Sequence, residues 1–403
     1  MRNRWFIALA AIGLHISIGS VYAWSVLTRP IMVDMGFTLS QTTWTFSLAI
    51  LMLGLSAGFL GSFAEKIGPK KSGLLAMLFW VTGLFGTAYA LSIHNLTLLY
   101  LFYGIIGGIG LGIGYITPVS TLVKYFPNRP GFATGLAIMG FGFASLIAGP
   151  LMQYLVAQVG LVDTFIILGV IYLVIMGASS LYLKAPQPKH PTRTTKDKST
   201  MYVHTHGMLA NDAMKTWQFG ALWWVFFINI TCGIGLLSLA SPMAQEAIGM
   251  TPAAAASLVG IIGIFNGGGR IAWSTISDYL GRAQTYILFF IIEIIAFYLL
   301  ATTNSALTFQ ILILLIITCY GGGFSCMPAY LADLYGIRQL STIHGRILTA
   351  WGLAGIAGPM LVSYFHEAGY GYTTALECFA ALFVLNTIIA IVLKLYGKRE
   401  LHN

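Results

Sequence analysis

The feature that most constrains this chain is a succession of uninterrupted apolar runs, each about 20 residues long, filling nearly all of its 403 positions. Wound as α-helix at about 1.5 Å per residue, such a run spans the roughly 30 Å of hydrocarbon in a bilayer. Twelve can be marked: 5–27, 42–64, 72–93, 96–118, 132–157, 162–183, 217–240, 252–276, 284–302, 305–328, 343–366 and 371–395. In lipid every backbone N–H and C=O must be bonded internally, which leaves helices or closed β-barrels. Barrel strands need alternating segments of about 10 residues, and these runs are continuous. The expected fold class is an all-α membrane protein with twelve transmembrane helices. With 57% hydrophobic and 8% charged residues, a soluble fold could not cover so much apolar surface.

The net charge of +9 is explained by where the charges fall. With an even number of spans and both termini cytoplasmic, the cytoplasmic segments hold 19 of the 21 Lys and Arg residues. Arg29 alone lies on the opposite side, and Arg270 alone lies more than one helical turn inside a span, Arg346 and Lys394 standing at the cytoplasmic ends of theirs. That asymmetry is the positive-inside signature of a multi-pass protein in a prokaryotic plasma membrane, and it argues against a nucleic-acid footprint. Cys232, Cys319, Cys326 and Cys378 fall inside spans without metal-ligand or redox spacing and read as small packing residues. The first span follows a short basic N-terminus but lacks a small-residue cleavage site, so it is expected to be a retained helix.

One long polar interval, 185–216, carries Pro186, Pro188, Pro191 and the basic run from Arg193 to Lys198. It reads as a flexible cytoplasmic linker between a first half, 1–184, and a second half, 217–403. His190, His204 and His206 lie in it without acidic or cysteine partners in a fixed frame, so no metal is expected. The halves repeat. Glu65 and Gly68 after span two match Asp278 and Gly281 after span eight, both at an offset of 213; Pro118 matches Pro328, and Gly149-Pro150 matches Gly358-Pro359 at an offset of 209. Duplication in one orientation resembles the major facilitator architecture, whose substrate site lies between the halves near the midplane. The cluster of Gly61, Glu65, Gly68 and Lys70, with a weaker copy in Asp278, Gly281 and Arg282, resembles that superfamily's loop motif. Its expected role is a charge latch that holds the halves in one state until they rock.

Arg270 is the most informative residue. A charge within a span costs about 2.5 to 3.5 kcal/mol on insertion scales and persists mainly where it faces a cavity or a partner. No acid precedes it by one or two helical turns, and Asp278 is about 12 Å further along the helix. A guanidinium so placed offers a planar fork of donors to a carboxylate. Aromatic residues collect in the spans expected to line the cavity: Tyr22, Trp24, Tyr115, Phe141, Tyr320, Phe324 and Trp351. They can cage a small anion. For proton coupling, which needs a membrane acid or histidine, the candidate is His15; Glu293 and Glu377, on outer helices, are read as structural or near an interface.

At Gly19 to Ser25, Tyr125 to Gly131, Phe265 to Arg270 and Ser277 to Arg282, the chain resembles the oxalate:formate antiporter family over essentially its full length. The resemblance implies transport of small carboxylates, with Arg270 holding substrate and Tyr22, Trp24, Tyr115, Tyr320, Phe324 and Trp351 forming the cage. Oxalate exchangers of that family carry a second substrate-binding cation, a lysine, where this chain has Trp351. One cation suits one carboxylate, since an uncompensated buried charge costs several kcal/mol. The animal monocarboxylate carriers, more distantly similar, place an aspartate four residues before the arginine, where this chain has Asn266.

A secondary transporter of monocarboxylates such as formate, pyruvate or lactate is therefore expected, by proton symport or anion exchange. It is expected to act as a monomer in the bilayer, without cofactor or metal. Oxalate:formate exchange and a non-transporting membrane sensor are the alternatives. A cation exporter would want a cavity carboxylate, and no phosphate-binding loop or nucleophile constellation suggests a pump or an enzyme.

Overall fold

The structure, a computed structural model, describes residues 3–126, 130–185, 207–336 and 339–396. Among them, eleven continuous helical stretches are long and apolar enough to cross a membrane. One of these, Gly135–Tyr182, has 48 residues, about 72 Å of helix and more than twice the hydrocarbon thickness. It lies within α7 of the run described next, and Gly160 breaks it with φ 81° and ψ 177°. Two crossings result, and the total is the expected twelve.

In the first half the order is α1 (Arg4–Gly19), a tight turn Ser20–Ala23, α2 (Ser25–Met35), α3 (Leu39–Ile67) and α4 (Pro69–Ser92). There follow α5 (Leu96–Leu99), which widens to π-helix over Tyr100–Gly107 and continues as α6 (Gly108–Tyr125), and α7 (Pro130–Tyr182). The second half holds α8 (Ala210–Ala213), α9 (Trp217–Ser238), α10 (Ala240–Ile248), α11 (Pro252–Leu280), α12 (Arg282–Thr302), α13 (Ala306–Tyr335), α14 (Leu340–Ile347), α15 (Thr349–Glu367) and α16 (Gly371–Tyr396). The helix that opens each half is thus broken, between α1 and α2 at Ser20–Ala23 and between α9 and α10 at Leu239.

The repeat is visible in the backbone as well as in the sequence. Gly68 and Gly281, 213 positions apart, both have positive φ (82° and 93°) and each joins two helices end to end with no intervening residue. A side chain is strained in that conformation. Gly36 and Gly249 stand at the same offset (φ 69° and 72°), and Gly160 and Gly369 at the offset of 209 (φ 81° and 85°).

The two halves meet along α7 with α11 and along α3 with α15. Both crossings are made by glycines: a Cβ on Gly142 would lie 2.8 Å from the Gly267 backbone, and one on Gly352 would lie 2.9 Å from the Leu51 carbonyl. Without a hydrophobic drive between helices in lipid, such close backbone approach is how packing is gained.

Polar bonds between the halves gather at the face opposite the termini. Glu367, at the end of α15, accepts from both the backbone N–H and the hydroxyl of Ser40 in the first turn of α3, each at 2.7 Å. Arg29 of α2 donates to Gln245 at 2.9 Å and lies 4.0 Å from Glu246 of α10. Glu246 also pairs with His366 at 2.7 Å and accepts from Tyr372 at 3.2 Å. On the face that carries the termini, the halves instead enclose a cavity of about 740 Å³. Ala57, Gly61 and Ile116 wall it on one side; Trp223, Arg346 and Thr349 wall it on the other.

Of the expected linker, 186–206, with its three histidines, falls outside the described residues. The remainder is docked on the second half: Gly207 bridges to Gly336, the Ala210 N–H donates to Gln339, and Arg346 donates to Asn211. The reading of 185–216 as flexible throughout is therefore corrected for 207–216.

Candidate substrate site

Arg270 lies in the second half of α11 and has no solvent exposure. Two glycines bring it there. Gly267 lets α11 close on α7, and Gly269 lets it close on α13, where a Cβ would lie 2.7 Å from the Thr318 Cα. The guanidinium does not reach toward water. It lies over the Phe324 ring at 4.8 Å, and its Nε donates to Asn266 Oδ1 at 3.1 Å.

The hydroxyls of Tyr22 and Tyr115 come close to the guanidinium, yet neither Nη1 nor Nη2 completes a hydrogen bond. Among the described residues no carboxylate is paired with it. Two further buried donors lack acceptors: Asn266 Nδ2 beside this group, left over because Oδ1 serves Arg270, and Trp351 Nε1, whose ring packs on Phe324. The unmet groups around this arginine are all donors, an arrangement that suits an anion.

Six of the seven expected aromatic residues close into one cluster. Tyr22 meets Phe141 at 4.8 Å, Phe141 meets Trp351 at 5.8 Å, Trp351 meets Phe324 at 4.7 Å, Phe324 meets Tyr320 at 5.3 Å, and Tyr320 returns to Tyr22 at 6.2 Å. Tyr115 joins through Trp351 at 5.0 Å. The hydroxyls of Tyr22 and Tyr320 are hydrogen-bonded at 2.7 Å, tying α13 to the turn after α1 and so the two halves to each other. Every ring is within 1% of full burial, so the cluster is closed to both faces. The cavity on the terminal face stops just short of it, at Ile116 and Thr349.

Trp24 is the exception. It packs on Tyr103 at 4.5 Å within the first half and makes no ring contact with the cluster. Two residues apart in a helical turn, Tyr22 and Trp24 point roughly 200° apart, and that geometry could have separated them from sequence. Phe226 of α9, 5.1 Å from Phe324, extends the cluster and was not among the expected residues.

The remaining candidates distribute as follows. His15 is fully buried beside the cluster, its ring stacked on Tyr115 at 5.3 Å and edge-on to Phe141 at 6.2 Å. Glu293 is buried inside the second half, accepting from Asn229 Nδ2 at 3.3 Å, while Glu377 is exposed on the outer surface. In the loop motif, Arg282 binds Asp278 at 2.5 Å, lies 3.5 Å from Asp333 at the end of α13, and donates to Ser277. That latch joins α11 to α13 within the second half; the motif was expected to hold the halves in one state. Gly61 lines the cavity and Lys70 is exposed; the side chain of Glu65 lies outside the described residues.

Comparison with known proteins agrees with this architecture. The sequence profile of the Major Facilitator Superfamily matches residues 6–291 and 223–402. The chain is 28% identical to the uncharacterised MFS-type transporter YhjX of Escherichia coli strain K12, covering 88% of this chain and 86% of that one. It is 25% identical to the oxalate:formate antiporter of Oxalobacter formigenes, over 93% and 87% of the two chains. Apicoplast pyruvate carrier 1 of Toxoplasma gondii is 22% identical, over 77% and 66%. Among solved structures, a bacterial homologue of the human lysosomal transporter Spinster, inward-facing and unoccupied, superposes with a TM-score of 0.74 at 14% identity, over 97% of each chain. With its matched profile, twelve crossings and duplicated halves, the chain belongs to the Major Facilitator Superfamily.

Proposed function

We propose that this chain is a secondary transporter of small monocarboxylates of the formate, pyruvate or lactate type, and that Arg270 holds the carboxylate within the aromatic cluster. One observation carries the reading: a fully buried guanidinium whose two terminal nitrogens have no partner. Leaving a buried charge unpaired costs several kcal/mol, and a carboxylate accepting two parallel N–H bonds offsets that cost. Asn266 Nδ2 and Trp351 Nε1 are further donors for its oxygens. The rings of Phe141, Phe324 and Trp351 suit a short apolar tail and exclude water, which strengthens the ionic contact.

The names of two relatives, an oxalate:formate antiporter and a pyruvate carrier, favour the same class of cargo. The antiporter also keeps oxalate exchange as the second reading. Against it stands Trp351, an uncharged indole packed on three rings, where a dianion would need a second cation. We read the protein as a monomer in a prokaryotic plasma membrane with both termini in the cytoplasm, on the strength of the basic residues on that side. The cavity on the terminal face and the bonded opposite face then form an inward-facing half of an alternating-access cycle.

The test is uptake of labelled formate, lactate, pyruvate and oxalate into proteoliposomes, with Arg270→Gln beside the parent. Loss of the paired charge, about 3 kcal/mol or more, lowers monocarboxylate uptake by roughly a hundredfold. Uptake of every carboxylate unaltered by Arg270→Gln overturns the assignment.

A further inference from the structure

His15 presents both ring nitrogens to backbone carbonyls. Nδ1 lies 2.5 Å from the carbonyl oxygen of Ala137 on α7, and Nε2 lies 2.9 Å from that of Tyr115 on α6. Carbonyl oxygens only accept. A neutral imidazole has one N–H and one lone pair, so it satisfies one carbonyl and turns a lone pair on the other; the imidazolium donates to both. The hydrogen-bonding geometry therefore fits the charged form, although the side chain is fully buried at mid-bundle.

The titratable and charged groups that face His15 are Tyr115, stacked on it, and Arg270 of α11, within electrostatic reach. From α7 it meets only the Ala137 carbonyl and the Phe141 ring. α1 itself adds no titratable group around it, and no carboxylate is among its neighbours in the described residues. Tyr115 touches both cations, its ring on His15 and its hydroxyl near the guanidinium. One partner is suited to a proton, and the neighbouring charge works against it.

We infer that His15 is the binding site of a co-transported proton, loaded when a carboxylate occupies Arg270; the inference rests on the carboxylate reading above. With the site empty, burial first and the bare guanidinium of Arg270 in addition oppose a positive charge on His15, and the two carbonyls favour it. A bound carboxylate cancels the opposition of the guanidinium. A proton from water on the open face then joins the free ring nitrogen, and the imidazolium bridges the Ala137 and Tyr115 carbonyls. When the carboxylate leaves on the other face, the guanidinium is bare again and the proton returns to water there. One monoanion and one proton cross together and no net charge moves; an O–H bond of hydronium breaks as the N–H forms on the open face, and the N–H breaks as that O–H reforms on release. The proton also ties α1 to α6 and α7 while cargo is bound, which gives the loaded first half a bond network the empty one lacks.

The variant that separates this from a structural role is His15→Gln, which keeps an N–H donor between the two carbonyls but cannot titrate. The assay uses labelled pyruvate in proteoliposomes, read as exchange against internal pyruvate and as net accumulation under an imposed pH gradient. In the parent, one proton per anion gives accumulation of about tenfold per pH unit at equilibrium, insensitive to membrane potential. In His15→Gln, accumulation disappears while exchange persists within about fivefold of the parent; in Arg270→Gln both are lost. A second reading needs only the parent: pyruvate added to purified protein in weak buffer draws up to one proton per molecule. Accumulation by His15→Gln equal to that of the parent, or no proton uptake by the parent on binding, overturns the proton site. A parent that exchanges pyruvate but does not accumulate it overturns the proton site and leaves the carboxylate reading standing; a parent that moves none of the carboxylates removes the carboxylate reading itself.

Discussion

At the scale of single residues, selectivity should follow from what stands opposite Arg270. On the carboxylate reading the relevant wall is Trp351, an indole packed between Tyr115, Phe141 and Phe324, the last of which lies under the guanidinium. Trp351→Lys removes the ring and adds an ammonium, so oxalate uptake relative to lactate rises about tenfold or more, as an added close charge pair is worth 1 to 3 kcal/mol. Parallel uptake of the two anions by parent and variant measures it, and a parent that already prefers oxalate contradicts the single-cation argument. On the proposed carboxylate reading, the Tyr22 hydroxyl, bonded to that of Tyr320, turns to a cargo oxygen when the cluster opens. Tyr22→Phe then raises the apparent KM for pyruvate roughly fivefold with little effect on maximal rate, one neutral hydrogen bond being worth about 1 kcal/mol. An unchanged KM assigns the hydroxyl to the contact between halves alone. Arg270 was legible in the sequence because a charge inside an apolar run is rare and local. That its two terminal nitrogens complete no hydrogen bond was not, since bonds such as that between Tyr22 and Tyr320 join residues 298 positions apart and leave no trace in composition or spacing.

At the scale of elements, the apolar runs located the crossings well, because length and hydrophobicity alone decide which segments enter lipid. They could not show that the first crossing of each half is broken, at the turn Ser20–Ala23 and at Leu239, since nothing in the apolar content changes there. The glycine joints are the clearest local devices. Gly281 has φ 93° and ψ 147° and leads straight into α12, whereas Gly268 lies within α11, where a Cβ would meet no neighbour within 4 Å. Gly281→Ala should lower the thermal midpoint in detergent, the conformation costing a side chain about 1 to 3 kcal/mol. Gly268→Ala should leave the midpoint unchanged or raise it, by up to about 1 kcal/mol of helix propensity. Thermal unfolding of both variants compares a backbone requirement with an incidental glycine, and equal losses would contradict the distinction.

At the scale of the whole molecule, the structure is asymmetric across the membrane. The terminal face has a cavity between the halves, and the opposite face is fastened by Glu367 on Ser40 and by Glu246 with Arg29. This closure was hidden in the sequence, where Arg29 stood out only as the basic residue on the opposite side and nothing marked Glu367. Its strongest part is physical in a simple way. The first backbone N–H groups of α3 have no intrahelical partner, and a carboxylate from the other half satisfies the N–H of Ser40 at the positive end of the helix dipole. Breaking that bond should shift the population toward an opening on this face. Thr43 and Ser363, bonded to each other at 3.1 Å and buried just inside, report it. With Thr43→Cys in a Cys378→Ser background, labelling by an impermeant maleimide from that side should speed up about tenfold on adding Glu367→Ala, the loss of charge-assisted bonds worth roughly 1.5 kcal/mol or more. If the rate does not change, Glu367 is an ordinary helix cap and the closure is held by the glycine crossing of α3 with α15. In that case Gly352→Leu, which no longer fits against the Leu51 carbonyl, is the change that accelerates labelling.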